Sequence, residues 1–313
     1  MKLTRLLLGD IVASNTTRRI RKLTLKNEDV PGSENYITFE SPNSFTLKTA
    51  DGSKGWDGTL EYSTDASIWN AWDGSLLSAD NGKLYLRGTG NTRMVSHVSG
   101  ISSYERWILD GTNISCNGNI ENLLDYETVM NGQHPTMSSN CFLGLFIDCT
   151  SLISAPDLPA TTLNHGCYSN MFRGCTSLIS APELPATTLW GFCYSRMFYG
   201  CTSLTTAPKL PATSLLAACC QYMFCRCTNL TTLPELHATT MVDSGYFGMF
   251  SGCTSLIINS KQSEETPYEY RIPTSGTGTT EVDALTDMFT NTGGTFTGTP
   301  RLNTTYYTQN KPV

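Results

Sequence analysis

Charge is what this chain has least of. Its 313 residues include only 15% Asp, Glu, Lys and Arg, against about 25% in an ordinary globular protein. Hydrophobic residues, at 39%, do not fill the gap, so the surface must be built largely from Thr, Ser, Asn, Gly and Tyr. A net charge of −6 and a pI near 5.2 argue against a surface that binds nucleic acid over its whole extent. No apolar run reaches the roughly 18 residues of a membrane-spanning helix.

Catalytic signatures are lacking as well. The four histidines (His97, His134, His165 and His237) stand in no H-E-x-x-H, C-x-x-C or G-x-S-x-G context. No Gly-rich phosphate loop follows a strand pattern. Residues 141–256 hold five acids, Asp148, Asp157, Glu183, Glu235 and Asp243, which leaves little for paired-carboxylate chemistry. The expectation is a protein that is not an enzyme and that holds no metal and no cofactor. A secretory leader is not expected either: Leu6–Leu8 are cut short by Asp10, whereas a leader needs an apolar stretch of about 7–15 residues. Residues 1–35 carry seven Lys/Arg against four acids. That composition suits either a solvated arm or a basic segment that anchors on a partner.

What is present is a repeat. Cys-Thr-Ser-Leu or a near copy begins at Cys149, Cys175, Cys201, Cys227 and Cys253, in steps of 26 residues. A second cysteine keeps the same period at Cys141, Cys167, Cys193 and Cys219, and the Met-Phe pair recurs at Met171-Phe172, Met197-Phe198, Met223-Phe224 and Met249-Phe250. Within each copy the Cys-Tyr-x-x-Met-Phe-x-x-Cys half places apolar residues at i, i+1, i+4, i+5 and i+8, which reads as one stripe of a helix. The other half, as in Ala155-Pro156-Asp157-Leu158-Pro159, has two prolines and must run extended. One unit cannot bury its stripe alone, whereas stacked copies can share a core. The expected architecture is therefore a solenoid of strand–helix units, with Phe172, Phe198, Phe224, Phe250 and Cys149, Cys175, Cys201, Cys227 and Cys253 in its core.

From Tyr36 to Asn113 the period changes to two. Candidate strands are Tyr36–Glu40, Ser44–Thr49, Thr59–Ser63, Ile68–Trp72, Lys83–Arg87 and Tyr104–Leu109, separated by turns such as Asp51-Gly52 and Asn81-Gly82. They suggest an antiparallel, Ig-like β-sandwich, and an α+β fold for the chain as a whole. Ser63-x-Asp65 with Trp69 is similar to the Asp-box hairpin of sialidases, but one residue short and without its glycine, which makes it a turn device and not a sign of that activity. After Leu256 the rhythm breaks. Phe289 follows Phe250 by 39 residues, one unit with an insertion of 13, and the segment reads as the end cap. The domain plan is thus a basic arm at 1–35, a sandwich at 36–113, repeats at 114–260, and a capping repeat with an insertion at 261–313.

Over residues 114–260 the pattern resembles the BspA-like leucine-rich repeats, with cysteine at the turn in place of their Asn ladder. The resemblance implies a cell-surface or virion-borne interaction protein without catalysis. Cysteines eight residues apart on a helix would sit about 12 Å apart, too far to bridge, so a buried column of free thiols is expected, with scattered disulfides the alternative. Cys219, Cys220, Cys225 and Cys227 cluster locally but lack zinc spacing.

Positions that differ between copies are free to serve recognition. The expected recognition face comprises Arg173, Trp190, Phe192, Arg196, Tyr199, Tyr222 and Arg226; surface drift explains the same variation. Aromatic and Arg anchors suit binding, and the low local charge suggests a neutral ligand bound with little dependence on salt. The functional expectation is a receptor-binding or decoration protein on the virion surface of a bacterial virus. Its basic arm would dock on virion or cell-surface proteins, and its repeats would meet a host surface glycan or protein, with homo-oligomers allowed and neither nucleic acid nor membrane insertion involved. A secreted or cell-surface bacterial adhesin is the alternative, and a carbohydrate-active enzyme is the remote third.

Overall fold

The computed structural model describes residues 36–52, 54–95, 106–239, 241–272 and 283–313. The expected basic arm, His97, the start of the strand expected from Tyr104 and part of the insertion at 261–281 lie outside them.

Eight strands open the described chain: β1 (Ile37–Glu40), β2 (Phe45–Thr49), β3 (Thr59–Ser63), β4 (Asn70–Trp72), β5 (Leu77–Ala79), β6 (Lys83–Thr89), β7 (Trp107–Asp110) and β8 (Ile114–Asn117). Alternation decides their faces: Ile37 and Phe39 in β1, Leu84 and Leu86 in β6 are fully buried and sit opposite one another in antiparallel register. The single α-helix among the described residues, α1 (Asn122–Met130), packs on β6. It comes so close that a Cβ on Gly88 would meet the Leu123 carbonyl, so only glycine fits there. Asp65 is a turn device. Its carboxylate accepts the N–H groups of Ser67 and Ile68 and the Ser63 hydroxyl, and these bonds, that from Ile68 first, hold it well below the usual carboxylate range.

The Ig-like sandwich is not what these strands make. They divide into a six-stranded sheet of order β4-β3-β6-β1-β8-β9 and a three-stranded sheet of order β5-β2-β7. The outermost strand of the larger sheet, β9 (Leu152–Ser154), belongs to the first repeat unit and pairs parallel to β8. One edge is thus handed directly to the repeats, where a sandwich would have kept it antiparallel.

The strand–helix solenoid of leucine-rich type is overturned too. The Met-Phe halves contain no helix, and strands account for most of the regular structure. Residues 164–175 show what replaces it. The amides of Cys167, Ser169, Met171, Arg173 and Cys175 each donate to a carbonyl three residues back, giving overlapping turns. The intervening amides of Gly166, Tyr168, Asn170, Phe172 and Gly174 donate instead to carbonyls of the next copy, at Gly191, Cys193, Ser195, Met197 and Tyr199. An α-helix keeps all its interior amides for itself; here every second one is given to a neighbour. The alternation requires a left-handed residue every fourth position, supplied by Gly166, Asn170 and Gly174 with φ of 64°, 56° and 75°. A period of four and a period of 3.6 both satisfy i, i+4, i+8 over so short a run, which is why the apolar stripe reads as helical.

The proline halves are extended but pair only briefly: β10 (Thr162–Leu163) runs parallel to β11 (Thr188–Leu189), and single parallel bridges join Ser154 to Ser180 and Thr206 to Thr232. Their prolines cannot donate to a longer ladder. The chain ends in a three-stranded sheet of order β12-β14-β13, formed by β12 (Ile258–Asn259), β13 (Tyr268–Arg271) and β14 (Thr305–Thr308). Between β13 and β14 the turns resume, since Phe250 donates its amide to Met288 and Gly252 to Thr290.

Turn on turn, equivalent side chains stack. The rings of Phe146, Phe172, Phe198, Phe224, Phe250 and Phe289 form one buried file with successive centroids 5.5–6.0 Å apart and planes within 15° of parallel, an offset-stacked arrangement. Trp107 closes one end edge-on, and Tyr270, Phe296 and Tyr306 close the other. All twelve cysteines are buried with free thiols. They do more than fill space: the thiols of Cys175, Cys201, Cys227 and Cys253 donate to the carbonyls of Phe146, Phe172, Phe198 and Phe224, one copy back, at 3.0–3.1 Å. Burial pushes the Cys149 thiol up to about 12.

Two outcomes follow from this packing. Phe198→Ala, which empties the middle of the ring file, lowers the unfolding free energy by about 3–5 kcal/mol; a change below about 1 kcal/mol in urea titration contradicts the file. A thiol reagent at pH 8 reacts slowly with the native protein and, after unfolding without reductant, counts twelve thiols; a count near zero contradicts the free-thiol core.

Candidate recognition cleft

Because copies superpose position on position, residues 26 apart stand in columns. One column holds Arg173, Tyr199, Cys225 and Ser251; a second holds Arg196 and Tyr222; a third holds Arg226, Gly252 and, across the insertion, Asn291. These nine residues line an open cleft of about 410 Å³. The structure thus brings together five of the seven residues expected on the recognition face. It leaves Trp190 and Phe192 out of the cleft lining, 53% and 41% exposed, where Phe192 packs beside the His165 ring at 5.4 Å. The expected core residues Phe172, Phe198, Phe224 and Phe250 and Cys149, Cys175, Cys201, Cys227 and Cys253 are all buried. Cys225, Ser251, Gly252 and Asn291 escape sequence reading. The first three could have been found by column, because they fall 26 or 52 residues after cleft residues; Asn291 is hidden by the 39-residue step.

Inside the cleft, guanidiniums alternate with phenol rings. Arg196 lies 5.0 Å over the Tyr222 ring, and Arg173 and Arg226 lie 5.5 and 5.7 Å from the Tyr199 ring. Gly248 makes room, since any Cβ there would meet the Tyr222 ring. Among the described residues none of these three arginines has a carboxylate partner, whereas Arg87, Arg93 and Arg106 are each paired with Glu61, Asp57 and Asp148. The nine lining residues include no Asp or Glu. A neutral ligand, expected from the low charge of the sequence, is therefore not what this cleft favours: three of the four Lys/Arg of residues 141–256 stand here. Burial raises the Cys225 thiol above its usual range despite Arg226 and Ser251, so it is no activated nucleophile.

The backbone under the cleft is strained. Arg196, Tyr222 and Arg226 have φ of 54°, 54° and 62°. Their columns otherwise hold mostly residues that tolerate the left-handed region: Gly144, Asn170, Gly248 and Asp287 beside Arg196 and Tyr222, and Asp148, Gly174, Gly200, Gly252 and Asn291 beside Arg226. A bulky side chain there costs about 1–2 kcal/mol, so the fold would be better served by glycine or asparagine. Strain of this kind gathers where side chains serve something besides stability.

Other groups give little chemistry. Glu121 is buried, and both its oxygens lie 2.8–3.0 Å from His134 Nδ1, so it does not face open space. Burial raises its pKa, against the pull of His134 and Asn119. Among the described residues no three His, Cys, Asp or Glu side chains are placed to hold a metal ion.

The strain predicts a trade. Arg226→Gly relieves the left-handed backbone and gives back about 0.5–1 kcal/mol through the freer unfolded chain, so the unfolding free energy stays equal or rises by up to about 1 kcal/mol. A fall of more than about 1 kcal/mol in urea unfolding would make Arg226 a packing residue.

No family model, curated protein sequence or solved structure matches the chain, so the chemistry of the cleft itself bears on function.

Proposed function

We propose that this chain is a non-catalytic recognition protein that attaches to a bacterial surface through the Arg–Tyr cleft, and that it is carried on the surface of a virus particle. The observation that carries the reading is the convergence of residues that differ between copies, and that strain the backbone, onto one open cleft. A rigid stack of near-identical layers presents them, so their positions are set before a ligand arrives, which lowers the ordering cost of binding. Buried thiols in every layer suit a protein assembled in a reducing compartment, as a virus particle is inside its host. A carbohydrate-active enzyme is disfavoured, because paired carboxylates are not found on the cleft wall.

Attachment to whole bacteria tests the reading. The double variant Arg196→Asn with Arg226→Gly, each change taken from other copies in the chain, keeps its melting temperature and loses attachment at least tenfold. Trp190→Ala is the comparison. Attachment kept by the double variant and lost with Trp190→Ala would move the site to the exposed Trp190–Phe192 surface.

A further inference from the structure

We infer that the ligand of this cleft is an acidic saccharide, a sugar ring bearing a carboxylate or sulfate group. The inference rests on the recognition reading above and names its ligand class. Three guanidiniums converge on one cleft without a carboxylate on its wall. No carboxylate on the cleft wall offsets their mutual repulsion, an oxyanion entering the cleft would do so, and guanidinium forks match the geometry of carboxylate, sulfate and phosphate oxygens. Asp287, which follows Gly248 in the Arg196–Tyr222 column, accepts a hydrogen bond from the Thr290 hydroxyl; it does not line the cleft.

The remaining wall fits a sugar. The Ser251 hydroxyl, the Asn291 amide and the two tyrosines offer neutral donors and acceptors suited to ring hydroxyls. Stacking against Tyr199 and Tyr222 holds the arginines in place beforehand, so little side-chain freedom remains to be lost. At about 410 Å³ the space falls within the ~300–1,000 Å³ of small-molecule sites. A nucleic-acid strand fits less well: it needs a basic groove that tracks several nucleotides, and this positive spot sits on a chain of net charge −6.

Calorimetry on the full chain tests the class with four probes at matched length: oligogalacturonate, sulfated dextran oligosaccharides, neutral dextran oligosaccharides and oligo-dT. The expected result is binding of one or both acidic sugars at least tenfold tighter than of neutral dextran, weakening several-fold between 50 and 300 mM NaCl, and lost in the Arg196→Asn/Arg226→Gly variant. The carboxylate and sulfate arms separate the two sources of the anion. Neutral dextran bound as tightly, or oligo-dT bound more tightly than either acidic sugar, overturns the inference. So does failure of every sugar to bind while cell attachment still depends on the cleft, and in that case the recognition reading survives. Attachment indifferent to the double variant overturns the recognition reading itself.

Discussion

Every second amide in the turn runs belongs to the neighbouring copy, and the rest of the molecule is arranged around that fact. Five such bonds tie residues 166–174 to the copy that follows, and they fix the register so tightly that side chains 26 residues apart must coincide. The phenylalanine file, the thiol-to-carbonyl bonds and the columns of the cleft are all consequences of this coincidence. It also dictates where the left-handed residues fall, because amides can point alternately inward and onward only if the chain reverses its local twist every four residues. The unusual composition follows too: a surface made of turns and short extended segments calls for Gly, Asn, Ser and Thr more than for the charged residues that favour helices.

Much of this was legible in the residues, and the failures have a common cause. The 26-residue spacing of Cys149 to Cys253 announced stacking and placed Phe172 to Phe250 in the core, where they lie. Strands β1, β2, β3, β4, β6 and β7 each overlap a strand expected from alternation, while β5 and β8 were not among the expected strands. The helix reading of Cys167–Cys175 failed because its evidence was periodicity alone. Glycine or asparagine at 140, 144, 166, 170 and 174, always in steps of four within a run, was the contrary signal, and it distinguishes turns from a helix, which tolerates glycine poorly in its interior. The edge-on handover from β8 to β9 could not be seen at all, since parallel pairing between a strand of one region and the first repeat leaves no local mark.

At the cleft the lesson reverses. Variation between copies pointed to Arg173, Arg196, Tyr199, Tyr222 and Arg226 without any knowledge of the backbone. It could not say that Trp190 and Phe192 lie outside the cleft, nor that three arginines would be left unpaired. Net composition described a surface poor in charge; stacking brought three of the four Lys/Arg of residues 141–256 into one place.

The bonds between copies have a mechanical consequence. They run from layer to layer, so a pull that separates the ends of the repeats loads the layers in series, each joined by its own small set of amides. Such an array yields at its weakest layer first, and each layer that opens releases 26 residues, about 90 Å of slack at roughly 3.4 Å per residue. Tension across the repeats would then be dissipated stepwise, as one layer after another lengthens the chain.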